Sequence, residues 1–341
     1  MKKFKLAVVG LHFGKWLVEN EILKGSGEPY FELAAVCDVD EPLAKACAAK
    51  FKVPFYTSLE ALLAAEPAIP LILLATGPGG RAGIINRLID AGKAVMTTKP
   101  FETDAAAALA ALQKAEKANL PVFLNSPPPV PPQDIACILG WVKQYRLGRL
   151  VGYYAGNWAS YREKPDGTWY DDPLLCPAAP LLRLGIYCLN DLSWFTTAGV
   201  SSLSVHQAQI FTGRPTADNA CLSLSHEDGT VGSVYSSFCV NDGHPYSQLL
   251  QLHFENGSIQ RSIACAGSPE EGCITASIHT PGQNGALYEA KTFPKQGAGY
   301  RWDCMHKALR GQRPKGQISA GQAVAAIYIL QEMKRQIANG S

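Results

Sequence analysis

Short apolar runs alternate with longer amphipathic stretches through the first 125 residues, the order of strands and helices that a doubly wound parallel sheet requires. Residues 5–10, 31–37, 71–76, 94–97 and 121–124 read as buried strands. Between them, 15–24, 41–51, 81–91 and 104–118 read as helices: Asp40 caps the second, Gly92 closes the third, and the alanine-rich fourth rests on propensity alone. Five prolines between Asn125 and Pro132 then interrupt the pattern. Proline neither continues a helix nor donates to a sheet, so this stretch is a rigid connector. Beyond a helix over 134–145, strand-like runs follow at 150–160, 200–211, 220–226, 231–240, 248–254 and 258–263. Asp228-Gly229 and Asn256-Gly257 tolerate the positive φ of tight turns and read as hairpins. A last helix, capped by Ser319 and carrying Val324, Ile327, Ile329, Leu330 and Met333, runs to Gly340.

The pattern predicts an α/β protein in two domains. Residues 1–125 form an N-terminal Rossmann dinucleotide-binding domain with a doubly wound parallel sheet. Residues 126–341 form a C-terminal α+β domain for substrate binding and dimerisation, with a large, mainly antiparallel open sheet. A chain of 341 residues, 47% of them apolar, exceeds what one core usually organises and agrees with two. Thirty-one Lys and Arg against 29 Asp and Glu leave no basic field for nucleic acid or an anionic membrane, so the expected partner is a small molecule. There is no apolar run of about twenty residues, and Met-Lys-Lys-Phe-Lys leads straight into a strand, so the expected location is cytoplasmic. The ten cysteines lack any Cys-x-x-Cys pair, and His206, His226, His244, His253, His279 and His306 show no ligand spacing. No metal is expected, and the cysteines read as reduced structural thiols, Cys37 and Cys188 lying within apolar stretches.

In an open parallel sheet, ligands bind beyond the carboxyl ends of the strands, where strand order reverses. The first such turn holds Gly10, His12, Phe13 and Gly14. A dinucleotide fingerprint, Gly-x-Gly-x-x-Gly, uses its second glycine for backbone approach to the pyrophosphate and its third for close helix packing. His12 and Lys15 occupy those positions, unless the loop is one residue shorter and Gly14 stands for the third glycine. The second strand ends in Asp38, placed to accept both ribose hydroxyls of an adenosine. Its charge would repel the extra phosphate of NADP, so the expected cofactor is NAD.

The Gly10 turn, Asp38, Ala75-Thr76-Gly77-Pro78, Gly92 to Pro100 and Leu184-Gly185-Ile186-Tyr187, in that order, resemble the glucose-fructose oxidoreductase, inositol dehydrogenase and rhizopine-catabolism (Gfo/Idh/MocA) superfamily along nearly the whole chain. The strongest likeness is 91–101, where Pro100 would follow a cis peptide, and the Leu-Gly-Ile-Tyr segment is similar to the branch that uses tyrosine where inositol dehydrogenases carry histidine. The resemblance implies NAD(P)-dependent oxidation of a sugar or polyol hydroxyl. Lys99 would hydrogen-bond that hydroxyl and Tyr187 would take its proton. It places the cofactor against Gly10, His12, Phe13, Gly14, Asp38, Thr76, Gly77 and Lys99. Outside that motif a loop lysine is an ordinary solvated charge and a tyrosine on an apolar helix an ordinary core residue.

The sequence departs from the family pattern at Gly77-Pro78, Arg81, Thr98, Ala178-Ala179, Arg183 and Asn190. Three functions therefore stay open: a dehydrogenase, a catalytically silent sensor or co-regulator, and a scaffold that no longer binds nucleotide. Arg183 lies at i and i+4 with Tyr187 and should share its helix face, together with Asn190 as a second substrate contact. An acidic sugar paired with Arg183 is one reading, and a salt bridge to Asp171, Asp172 or Asp191 is the other. The aromatic segments 158–162 and 168–170 would stack on a sugar ring or pack internally. The open sheet is expected to expose an apolar face that joins a second copy, giving a homodimer or homotetramer.

Overall fold

The computed structural model describes residues 2–160, 165, 167, 169–263, 273–294 and 299–339. Among these residues the chain divides into two compact units. The first opens with β1 (Phe4–Val9) and α1 (Leu11–Leu17), which passes into one π-helical turn, Val18–Ile22. This helix starts directly after Gly10, four residues earlier than its apolar pattern predicts. There follow β2 (Phe31–Cys37), α2 (Glu41–Phe51), β3 (Phe55–Tyr56), α3 (Leu59–Ala65), β4 (Leu71–Leu74), α4 (Arg81–Asp90), β5 (Ala94–Thr97), α5 (Ala105–Lys117) and β6 (Val122–Leu124). Asp40, Ser58 and Asp104 accept backbone N–H bonds at 3.0–3.2 Å at the starts of α2, α3 and α5, as N-caps should. All strands run parallel in the order β3-β2-β1-β4-β5-β6, so the order reverses between β1 and β4. The short pair β3 and α3 leaves too little periodicity to be read from sequence.

The second unit begins with α6 (Gln133–Gln144) and β7 (Leu150–Trp158). A π-helical turn, Leu181–Gly185, runs into α7 (Ile186–Leu192). The strands β8 (Val200–Ala208), β9 (Asn219–His226), β10 (Val231–Ser237), β11 (Ser247–Phe254), β12 (Gly257–Ile263), β13 (Cys273–Gly282) and β14 (Gly285–Pro294) complete an eight-stranded sheet. Its order is β14-β13-β12-β11-β7-β10-β9-β8, antiparallel throughout except for β7 beside β10. β13 and β14 go beyond the strands read from sequence.

The chain then returns to the first unit, which takes residues 297–324 as well as 1–130; the second takes 131–296 and 325–341. This corrects the contiguous split at residue 125. The segment holds α8 (Trp302–Ala308) and the start of α9 (Ala320–Ala338). Trp302, 1% exposed, packs edge-on against Phe31 and donates its indole N–H to Glu21 at 3.0 Å. Such a contact links residues about 270 positions apart, which local periodicity does not encode. Ser319 and Gln322 form a reciprocal capping box at the start of α9; Gly340, read as its end, lies outside the described residues.

The uncovered face of the large sheet is mixed. Leu203, Leu222, Leu224, Val234, Leu250, Leu252, Ile259 and Ile278 point into the core. The alternating positions that face away include Ser204, Ser223, Ser233, Gln251 and Gln260, and also the half-buried Tyr154, Cys221, Tyr235 and Leu249. Period-2 alternation on an antiparallel sheet sends these residues to the side opposite the core.

Candidate functional site

In the first unit the candidate cofactor residues gather at the carboxyl ends of the parallel strands. Gly10 follows β1 with φ 90°, a conformation a side chain strains to adopt. A Cβ there would stand 2.7 Å from the backbone of Ala75 and Thr76, so the turn lies directly on the end of β4 across the switch point. A Cβ on Gly14 would stand 2.7 Å from Val8 Cγ1, so this glycine lets α1 pack against β1. Gly14 thus does the work of the third fingerprint glycine, and the loop is the shorter of the two alternatives. His12 and Phe13 are exposed on the first turn of α1, with Phe13 stacked on Trp16 at 5.6 Å.

Asp38, 9% exposed, directly follows β2 and is also a local anchor. Its Oδ2 accepts the Leu11 N–H at 2.6 Å, which fixes the start of α1, and its Oδ1 accepts the Asp40 N–H at 3.0 Å. Each carboxylate oxygen has two acceptor sites, so these bonds leave capacity for ribose hydroxyls. Beside it, burial pushes the Cys37 thiol up to about 11, with the Asp38 charge adding to the effect. The described cysteines are free thiols, Cys37 and Cys188 among the buried ones.

Thr76 is half-buried and Gly77 exposed at the end of β4, where a Cβ on Gly77 would meet nothing within 4 Å. Lys99 follows β5, half-buried, its N–H bonded to Asn125 Oδ1 at 3.0 Å, and the Lys99–Pro100 peptide is cis as the resemblance implies. Two buried charges lie behind this loop: Glu102, which sequence reasoning missed, and Arg81, named there only as a departure from the family pattern. Glu102 accepts N–H bonds from Gly80 at 3.2 Å and Ala82 at 2.7 Å, capping α4. Arg81 donates to the carbonyl oxygens of Thr76, Thr98 and Pro100. Proximity in sequence to Lys-Pro was the available signal for Glu102; Arg81 stood out as a departure from the family pattern, but its partners did not.

The substrate-side candidates lie in the second unit. Along 176–192 every residue is buried except Arg183, Tyr187 and Asp191, which are half-buried at intervals of four. Arg183 and Tyr187 therefore share a face, as the spacing predicts, and Asp191 extends it by a turn. Asn190, three residues after Tyr187 on the same helix, is 2% exposed, with its carbonyl accepting from Ser193 Oγ at 2.7 Å.

The Arg183 guanidinium lies over the rings of Tyr170, at 4.3 Å, and Phe238, at 4.9 Å. The carboxylates offered from sequence as its partners have bonds of their own: Asp171 with buried Arg214, Asp172 with the N–H groups of Leu174 and Leu175, and Asp191 with Arg261 at 3.0 Å. Tyr187 meets Tyr246 edge-on, ring centroids 6.4 Å apart. Tyr246 accepts from Asn157 Nδ2 at 3.1 Å, and the same amide reaches the Leu184 carbonyl at 3.3 Å. Burial holds the Tyr246 phenol well above its ordinary range. Asp191 also accepts from Gln248 at 2.9 Å, and burial raises its carboxyl despite Arg261.

Of the aromatic segments, Trp158 donates to Asp242 at 2.8 Å and Trp169 packs on Tyr170 at 4.1 Å; Tyr161, Arg162 and Thr168 lie outside the described residues. His226 bonds the Tyr153 hydroxyl at 2.9 Å and His306 the Lys2 carbonyl at 3.1 Å, both as buried structural histidines. Among the described residues no group of three or more His, Cys, Asp or Glu could hold a metal, and no helix is long and apolar enough to cross a membrane.

Comparison with known proteins bears on the family and the fold. Residues 4–126 match the family model described as an oxidoreductase family with NAD-binding Rossmann fold (GFO_IDH_MocA), and residues 138–260 match the GFO/IDH/MocA C-terminal domain. A D-apiose dehydrogenase of Paraburkholderia graminis is 25% identical over 241 residues, 70% of this chain; the match spans 61% of that relative's length. Two solved structures share the fold. The WlbA dehydrogenase from Bordetella pertussis, in complex with NADH and UDP-GlcNAcA, superposes with TM-score 0.72 at 16% identity, covering 100% of this chain and 98% of its own. An oxidoreductase from Agrobacterium radiobacter, in complex with NAD+, L-tartaric acid and magnesium, gives 0.70 at 15% identity, with the same coverage.

Proposed function

This chain belongs to the Gfo/Idh/MocA oxidoreductase family, and on that premise we propose that it is an NAD(H)-dependent dehydrogenase of a sugar, polyol or sugar-acid hydroxyl. The observation that carries the reading is the crevice of the first unit. Gly10 and Gly14 have no room for a side chain, Asp38 stands at the end of β2, and Lys99 follows β5 at the same end of the sheet. These residues fit NAD: α1 begins at the turn and presents its N-terminus to a pyrophosphate, and the Asp38 charge favours a free ribose over a phosphorylated one. When bound, the nicotinamide supplies the hydride acceptor. Lys99 donates a hydrogen bond to the reacting hydroxyl, and Tyr187, as phenolate, receives its proton while the carbon becomes a carbonyl.

Arg183 narrows the substrate to an acidic sugar. Its guanidinium lies against the rings of Tyr170 and Phe238 on the face it shares with Tyr187, and a planar guanidinium matches the two oxygens of a carboxylate. Turnover of uronic and aldonic acids against their neutral sugars tests this. The acids are expected to have the higher kcat/KM, and Arg183→Ala to lose that advantage by about tenfold or more. Equal turnover of the neutral sugars, or an unchanged variant, would end the acid reading. Association of two copies through the uncovered sheet face belongs to the same proposal. Light scattering is expected to give a homodimer or homotetramer, and a monomer at micromolar concentration contradicts it.

A further inference from the structure

Arg81 is 2% exposed, and its guanidinium donates to several main-chain carbonyls around the Lys99 loop. Its Nη1 donates to the Thr98 carbonyl at 2.6 Å and the Pro100 carbonyl at 2.8 Å, with Thr97 Oγ1 at 3.4 Å, and its Nη2 donates to the Thr76 carbonyl. The residues on both sides of Lys99 are thus bonded to one nitrogen, and the other nitrogen ties them to the end of β4. Lys99's own N–H is taken by Asn125. The start of α4 needs none of this, because Glu102 already satisfies the N–H groups of Gly80 and Ala82.

We propose that Arg81 is the positioning residue for Lys99: it fixes the backbone that carries the lysine and locks that segment to Thr76 at the end of the neighbouring strand β4. The inference rests on the dehydrogenase reading for what Lys99 does, but the clamp itself is a property of the first unit alone. A planar guanidinium with several fixed donors can bridge three carbonyls on two strand ends; an ammonium of the same charge cannot reach them in one geometry. Arg81→Lys therefore separates charge from positioning.

The experiment uses the full chain with Arg81→Lys, Arg81→Ala and Asn125→Ala. It measures NADH affinity by tryptophan fluorescence, kcat and KM on the acid and neutral sugars, and hydrogen–deuterium exchange of peptides covering 74–78 and 97–101. Arg81→Lys is expected to lose about thirtyfold or more in kcat, with NADH affinity within about threefold, and Asn125→Ala to lose less in the same direction. Exchange should rise at least about tenfold in both peptides and stay unchanged in α2. Added methylguanidinium should restore part of the rate of Arg81→Ala. Unchanged exchange at 97–101, or raised exchange with full kcat, overturns the proposal. So does loss of protection spread evenly through the first unit, which would make Arg81 a stability residue only. Should the wild-type chain oxidise no sugar, the dehydrogenase reading falls. The clamp is then decided by exchange: a local rise at 74–78 and 97–101 supports it, and no rise refutes it.

Discussion

The candidate sites of the two units are built from different materials. In the first unit the groups that shape the crevice are largely main chain: Gly10 against the backbone of Ala75 and Thr76, the Leu11 N–H on Asp38, the Thr76, Thr98 and Pro100 carbonyls on Arg81. In the second unit the contacts join side chain to side chain: Arg183 on Tyr170 and Phe238, Tyr187 on Tyr246, Asp191 on Arg261 and Gln248. A backbone-built site depends on a few residues that permit close approach and tolerates change elsewhere. A side-chain-built site changes its ligand when two or three residues change. The fold and cofactor class therefore carry across the family, while substrate must be argued from this chain's own stripe.

The largest expected effect tests the chemistry proposed for Lys99 and Tyr187. Lys99→Met should lower kcat by about a thousandfold while leaving NADH affinity nearly unchanged, since it removes a donor to the reacting hydroxyl but no backbone contact. A comparable loss of NADH binding would show that Lys99 serves the nucleotide instead. Tyr187→Phe should cost about a hundredfold in kcat. Oxidation by a phenolate speeds up as pH rises toward the tyrosine's ionisation, ordinarily near 10, and the variant should lose that alkaline limb. A pH–rate profile of identical shape in wild type and variant would assign the proton to another group.

Gly10→Ala attacks the backbone-built site. Positive φ and a Cβ 2.7 Å from the end of β4 should destabilise the first unit by about 1–3 kcal/mol and weaken NADH binding. Chemical denaturation followed through the buried indole of Trp302 reads the first effect. A variant as stable as wild type would mean the turn relaxes at no cost. The smallest effect belongs to Asp38→Asn, which removes charge and keeps shape. NADH should bind about tenfold more weakly and NADPH no worse than before, by paired titrations. Equal losses for both would reduce Asp38 to its bonds with Leu11 and Asp40.

Much of the first unit was legible because its determinants are local. Asp40 and Asp104 act as the N-caps their positions predict, and β1, β2, β4 and β5 are short apolar runs buried on both faces. The length of the glycine turn was not decidable from spacing. It needed the contact of Gly14 with Val8, a matter of packing. In the second unit the spacing of Arg183 and Tyr187 was legible and the partners were not, because Tyr170, Phe238, Tyr246 and Asn157 come from separate strands and loops. β13 carries Ile274, Ala276 and Ile278 in the alternation that could have revealed it, but β14 is exposed or half-buried throughout and has no such pattern. The return of 297–324 to the first unit rests on Trp302 finding Phe31 and Glu21, which no local window contains.

The most direct test of the account is reduction of NAD+, followed at 340 nm, with the wild-type chain and Lys99→Met supplied with aldoses, polyols, aldonic acids and uronic acids, alongside titration of NADH into both proteins. The account predicts turnover of at least one member by the wild type, lost in Lys99→Met, with NADH bound by both. NADH binding to the wild type without turnover of any compound would contradict it and favour a sensor that keeps the fold without the reaction.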